Sequence, residues 1–134
     1  VETSPFCKLD EPENLKGHVL LAEDHPDNRR LIARILERMG LTVTTVENGK
    51  DAVQQTLENT FDLILLDIQM PIMDGFEATL QLRRRLHQHI PVIALTANTD
   101  PETQRRCLNA GMNAFLSKPV SLEQLRNSIA EQLP

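Results

Sequence analysis

The sequence predicts an α/β fold, a parallel sheet built from successive βα units, and three observations carry that expectation. From Gly17 onward, short apolar runs alternate with longer stretches of helical periodicity. The helical stretches are punctuated as helices should be, with Pro26 and Pro101 at starts and Gly40 and Gly111 at stops. Finally, 134 residues with 40% apolar content suffice for one core, so a single domain is expected.

The first strand is expected at His18–Ala22 and the first helix at Pro26–Met39, with Ile32, Ile35, Leu36 and Met39 on one face. Leu31 falls outside that stripe. The second strand is Thr42–Val46. Asn48-Gly49 is a hairpin signal, but Ala52, Val53 and Leu57 behind it recur at helical spacing, which favours a loop entering a second helix. The third strand, Leu63–Leu66, leads to a helix over Gly75–Leu86, and the fourth, Val92–Leu95, to a helix over Pro101–Ala110. The fifth strand is Ala114–Leu116 and the last helix Leu122–Leu133. The opening VETSPFCKLDEPEN is polar and carries two prolines, so residues 1–16 are expected to be a linker from a preceding domain and residues 17–134 the folded unit.

The net charge of −5 and the scattering of basic residues argue against a nucleic-acid partner. No apolar run is long enough to cross a bilayer, and nothing resembles a signal peptide, so no membrane contact is expected of this segment. Cys7 and Cys107 lack metal-ligand spacing and read as unpaired thiols of a reducing, cytoplasmic compartment.

In an open α/β sheet, ligands bind outside the carboxyl ends of the strands. Those exits carry Glu23 and Asp24 after the first strand, Asp67 after the third, Thr96 after the fourth and Lys118-Pro119 after the fifth. Carboxylates brought together repel one another, which either raises at least one pKa or demands a cation, and hard oxygen ligands suit Mg²⁺. Because Mg²⁺ favours one or two carboxylates plus phosphate oxygens, Asp67 is left free to attack phosphorus, with Lys118 and Thr96 to neutralise the phosphoryl oxygens. Taken singly, each acid is as readily a helix cap or a solvated turn residue. The joint pattern carries the inference.

The segments LLAEDHPDNRRL, DLILLDIQMPIMDG, PVIALTA and FLSKP, in that order, resemble the response-regulator receiver family over about residues 17 to 133. The first two are most similar to receivers attached to hybrid sensor histidine kinases. The resemblance implies a flavodoxin-like, doubly wound sheet in strand order 2-1-3-4-5. It makes Asp67 the phosphoacceptor, fed by a histidine kinase or histidine phosphotransfer domain. Asp24 becomes a direct metal ligand, Glu23 a metal-site carboxylate, and Gln69 the donor of a backbone carbonyl. It gives Thr96 and Lys118 the phosphoryl oxygens, makes Ala97 the small residue that keeps the site open, and pairs Thr96 with Phe115 as the switch. It implies a cis Lys118-Pro119 bond and a monomer before phosphorylation. Such a module catalyses its own phosphorylation and slow dephosphorylation, either as a cytoplasmic chain or as the cytoplasmic part of a membrane-anchored kinase.

Two other readings of the residues are weaker. A haloacid-dehalogenase-type phosphatase also uses a strand-end aspartate but expects a second acid two residues later, where Gln69 stands. A nucleotide or flavin site needs a glycine-rich turn after the first strand, and EDHPDNR has no glycine. His25 is a lone imidazole beside hard carboxylates, and His87 and His89 read as solvated loop residues. The consecutive Arg83, Arg84 and Arg85 spread around a helix, which predicts a solvated face, while Met70 and Met73 are expected to serve loop packing. Leu31, with the loops around the acidic site, is the expected docking surface for a phosphohistidine protein, or else simply a further core residue.

Overall fold

The computed structural model describes residues 15–84 and 89–133. Five strands, β1 (His18–Ala22), β2 (Thr42–Val46), β3 (Leu63–Asp67), β4 (Val92–Thr96) and β5 (Ala114–Ser117), alternate with five helices. The helices are α1 (Pro26–Arg38), α2 (Gly49–Glu58), α3 (Gly75–Arg84), α4 (Pro101–Ala110) and α5 (Leu122–Gln132). The sheet is parallel throughout, in the order β2-β1-β3-β4-β5. This is the expected flavodoxin-like arrangement. The proposed linker falls almost wholly among residues 1–14, outside the described residues, as do Cys7, Arg85, Leu86 and His87.

The alternation of side chains along the central strands divides the core in two. Leu20, Ala22, Ile64, Leu66, Val92 and Ala94 face α2, α3 and α4, meeting Ala52, Val53, Ala78, Leu82 and Cys107. Val19, Leu21, Leu63, Leu65, Ile93 and Leu95 face the opposite way, against Ile32, Leu36 and Met39 of α1 and Leu125 and Ile129 of α5. Strands covered on both sides account for unbroken runs such as LILL in place of alternation. Each fully buried leucine contributes about 1.5–3 kcal/mol.

Local chemistry sets the helix ends. Asn48 caps α2 through its Oδ1, which accepts from the Asp51 N–H at 2.8 Å, so the Asn-Gly pair enters a helix and makes no hairpin. Asp100 and Ser121 cap α4 and α5 in the same way. Gly111 closes α4 at φ 103°, a left-handed conformation that favours glycine. Helix α1 ends at Arg38, one residue short of the expected Met39, which serves as its C-cap before Gly40, whose φ is 98°.

Three expectations change. Leu57 is not part of the buried stripe of α2; it is 42% exposed and Thr56 is buried in its place, donating its hydroxyl to the Val53 carbonyl. Arg83 is no solvated residue. Its guanidinium donates to the carbonyls of Ile90 and Gly111 and to Asn113 Oδ1, tying the end of α3 to the segments entering β4 and β5. Strands β3, β4 and β5 each run one residue longer than expected, so Asp67 and Thr96 are themselves the last residues of their strands.

Candidate functional site

Strand ladders deliver the acidic residues. β1 ends at Ala22, and the next residue, Glu23, is still tied to the sheet by its N–H bond to the Val46 carbonyl at 3.1 Å. Asp67 stands opposite Leu95 in the β3–β4 ladder, so its side chain leaves the sheet at a fixed point. Beside it, Gly75 begins α3 and donates its N–H to the Ile68 carbonyl; a Cβ there would lie 2.6 Å from the Asp67 carbonyl oxygen. Only glycine lets α3 start this close to the end of β3.

Glu23, Asp24 and Asp67 each bring a carboxylate oxygen within 4.8 Å of the others. Glu23 and Asp67 are buried, whereas Asp24 is exposed. Lys118 reaches over from beyond β5, its Nζ 2.8 Å from Asp67 Oδ2 and 3.1 Å from Glu23 Oε1. The Lys118-Pro119 bond is cis, as expected. The other Glu23 oxygen accepts the His25 N–H at 3.1 Å, and Asp67 Oδ1 accepts the Gln69 N–H at 3.2 Å. Among the described residues nothing donates a hydrogen bond to Glu23 Oε1, although the ammonium is close to it.

These acids and their ammonium leave a net negative charge in a pocket of about 920 Å³, and an orphaned buried carboxylate oxygen is costly unless something satisfies it. Burial pushes the Glu23 carboxyl above its ordinary value, and the Asp67 carboxylate beside it pushes the same way. Burial pulls Lys118 down, but the carboxylates of Asp67 and Glu23 together outweigh it, so the ammonium ends above its ordinary value. A cluster of hard oxygens with an unsatisfied acceptor fits a divalent cation.

The remaining sequence candidates sit around this centre. Thr96, Ala97, Gln69 and Asn98 line the pocket, as do Met70 and Phe76. The Thr96 hydroxyl is engaged in the loop after β4: it donates to the Asn98 carbonyl at 2.7 Å and accepts the Asn98 N–H at 3.0 Å. Phe115 is half-buried, paired in register with Ala94 and packed on the core face shared by α2 to α4. His25 contributes its backbone N–H and forms the N-cap position of α1, and Leu31 is 58% exposed.

Two features escaped the sequence reading. Arg29 donates to the Glu23 carbonyl at 3.0 Å, bracing the acidic pair from α1. Ile72 adopts φ 71°, with the Met73 N–H donating to the Pro71 carbonyl at 2.7 Å across it, a tight turn that is strained for a branched residue. Its side chain is 77% exposed. Neither spacing nor composition signals either feature.

The profile of the response regulator receiver domain matches residues 19–130. Sensor histidine kinase RcsC of Salmonella typhi is 41% identical over 112 residues, a match covering 84% of this chain and 12% of that protein. Sensor protein GacS of Pseudomonas syringae is 41% identical over 111 residues, covering 80% of this chain and again 12% of the relative. The receiver domain of a sensor histidine kinase from Pseudomonas aeruginosa PAO1, crystallised with a magnesium ion coordinated in its active-site cleft, superposes with a TM-score of 0.82 at 35% identity. That match covers 88% of this chain and 98% of the other. The receiver domain of Saccharomyces cerevisiae Ssk1, solved in complex with the histidine phosphotransfer protein Ypd1, superposes at 0.80 with 31% identity, covering 87% of this chain and 88% of that one. The chain thus spans only a small part of the kinases it resembles; similar to receivers of hybrid sensor histidine kinases, on sequence, fold and strand order it belongs to the response regulator receiver domain family.

Proposed function

We propose that residues 17–134 form a phosphorelay receiver in which Asp67 accepts a phosphoryl group from a phosphohistidine on a histidine kinase or histidine phosphotransfer domain. The observation that carries this reading is the meeting of Glu23, Asp24 and Asp67 with Lys118 in one pocket, with one Glu23 oxygen left without a hydrogen bond. The Ypd1–Ssk1 complex supports a histidine phosphotransfer protein as the kind of donor.

In the proposed reaction, an Asp67 oxygen attacks phosphorus, an O–P bond forms, and the N–P bond to the donor imidazole breaks, the imidazole leaving with its electron pair. Lys118, already paired with Asp67, keeps its ammonium charge and turns it toward the phosphoryl oxygens. Glu23, Asp24, Asp67 and the Gln69 backbone carbonyl are the residues that would hold Mg²⁺, a donor set made of oxygen alone. When bound, Mg²⁺ neutralises the acidic cluster and the incoming phosphate charge. Thr96 gives up its bonds to Asn98 to reach the phosphoryl group, and Phe115 answers that movement on the surface. Ala97 leaves the approach open. The module catalyses its own phosphorylation and slow dephosphorylation, and the change of its surface is the signal to a partner.

The test is incubation with Mg²⁺ and acetyl phosphate followed by intact mass measurement. One phosphoryl addition is expected in the parent and none in Asp67→Asn. Addition that persists in the variant overturns the assignment.

A further inference from the structure

The flank of α1 beside β2 carries an arginine cluster that the phosphorylation site does not use. Arg29, Arg30 and Arg34, with Val43 and Thr45 of β2, line a groove of about 390 Å³ whose single acidic residue is Glu37. The groove shares no lining residue with the acidic pocket. Arg29 donates to the Glu23 carbonyl, but among the described residues Arg30 and Arg34 take part in no ion pair or hydrogen bond. In a chain of net charge −5, guanidinium groups gathered beside the single carboxylate of Glu37 leave a local positive field that no other carboxylate among the groove's described residues neutralises.

The shape selects among anions. Arg30 and Arg34 are one helical turn apart, about 5–6 Å between their Cβ atoms. Alternate residues of an extended chain repeat at about 6.5–7 Å, a spacing long arginine side chains match readily. Among the described residues β2 is an edge strand, paired with β1 alone, so an extended segment has a strand to run beside. The floor is apolar at Ala33 and Val43. The backbone N–H groups in the middle of α1 are consumed by the helix, so a compact phosphate would find no nest of amides here. Glu37, towards the end of α1, calls for a basic residue at the matching end of the ligand.

We propose that this groove docks an extended acidic segment of a partner protein, with carboxylates at alternate positions on Arg30 and Arg34 and a basic residue next to Glu37. The surface is separate from the phosphoryl-transfer site, and its function does not depend on the role assigned to Asp67.

The experiment uses a fluorescently labelled peptide of alternating glutamate and threonine ending in lysine, followed by anisotropy, with the glutamine counterpart and tripolyphosphate as comparisons. Binding of the acidic peptide is expected to weaken at least about tenfold with the glutamine peptide, with the double variant Arg30→Glu/Arg34→Glu, and on raising salt well above physiological strength. Circular dichroism and the milder Arg30→Gln/Arg34→Gln variant separate loss of contact from loss of fold. The rate of phosphorylation by acetyl phosphate is expected to stay within about twofold of the parent, since neither arginine lines the acidic pocket. No binding by the parent, undiminished binding by the folded double variants, or tighter binding of tripolyphosphate than of the peptide each overturns the proposal.

Discussion

Lys118 Nζ lies 2.8 Å from Asp67 Oδ2, which makes the ammonium the internal counter-ion of a carboxylate cluster that otherwise has only acids in it. Removing that charge while keeping the stem, as in Lys118→Met, leaves buried Glu23 and Asp67 facing each other. Because the lysine side chain is 24% exposed, water screens part of the loss, and a destabilisation of about 1–3 kcal/mol is expected at neutral pH. Urea unfolding measures it. If the site binds Mg²⁺ as proposed, the ion restores much of the loss, and a variant as stable as the parent without Mg²⁺ contradicts the pairing.

Glu23 gives the site a pH dependence. Its folded pKa is raised above the ordinary 4.5, so in the metal-free protein the folded state holds a proton that the unfolded state releases. The contribution of Glu23 to stability is therefore present below 4.5 and is lost as pH climbs through the raised value. A divalent cation requires the ionised carboxylate and reverses the sign. The rise in melting temperature produced by Mg²⁺ is expected to be small near about pH 5 and to grow toward about pH 8. Thermal unfolding with and without Mg²⁺ across that range checks it, and in Glu23→Gln the slope should flatten.

Much of this was legible in the sequence, for reasons the residues make plain. The alternation of apolar runs and capped helices located all five strands: the runs of β1, β3 and β4, buried on both faces, cannot be mistaken for solvated loops, and the half-exposed β2 and β5 were placed by the helices on either side of them. The acidic pair, Asp67, Thr96 and Lys118 were found because parallel topology sends every strand exit to the same edge. Strand ends came out short: apolar character stops at Leu66 and Leu95, while hydrogen bonding carries Asp67 and Thr96 into the ladder. Arg83 was misread because its partners are backbone carbonyls at Ile90 and Gly111, which have no side-chain signature. Leu57 was misread because helical spacing alone does not separate it from its neighbour Thr56.

Arg83 therefore supplies a stability prediction far from the site. Its fork satisfies the Gly111 carbonyl twice, at 3.0 and 2.7 Å, and the Ile90 carbonyl at 2.7 Å, while Asn113 Oδ1 accepts from both Arg83 and the Val92 N–H. Arg83→Ala is expected to cost about 2–3 kcal/mol, since several carbonyls lose their donors together. Arg83→Lys should recover less than half, because an ammonium cannot present the same fork. Chemical denaturation with an unchanged m-value tests both, and a lysine variant equal to the parent would show that charge alone suffices.

Thr96 is bonded in both directions to Asn98, and that pairing competes with the role proposed for its hydroxyl. If the hydroxyl moves to a phosphoryl oxygen, the Asn98 N–H loses its acceptor, and the turn after β4 loosens before any helix shifts. Hydrogen exchange at Asn98 is thus expected to be slow in the unmodified protein and to quicken when Asp67 is phosphorylated. Thr96→Ala removes the acceptor permanently, so exchange at Asn98 should be fast in both states, while phosphorylation by acetyl phosphate slows by about tenfold for want of one hydrogen bond to the transferring group. Thr96→Ser keeps the hydroxyl and should keep both behaviours. Slow exchange at Asn98 that persists in the phosphorylated parent would mean that the hydroxyl never leaves the turn, and the link from Asp67 to Phe115 would need another carrier.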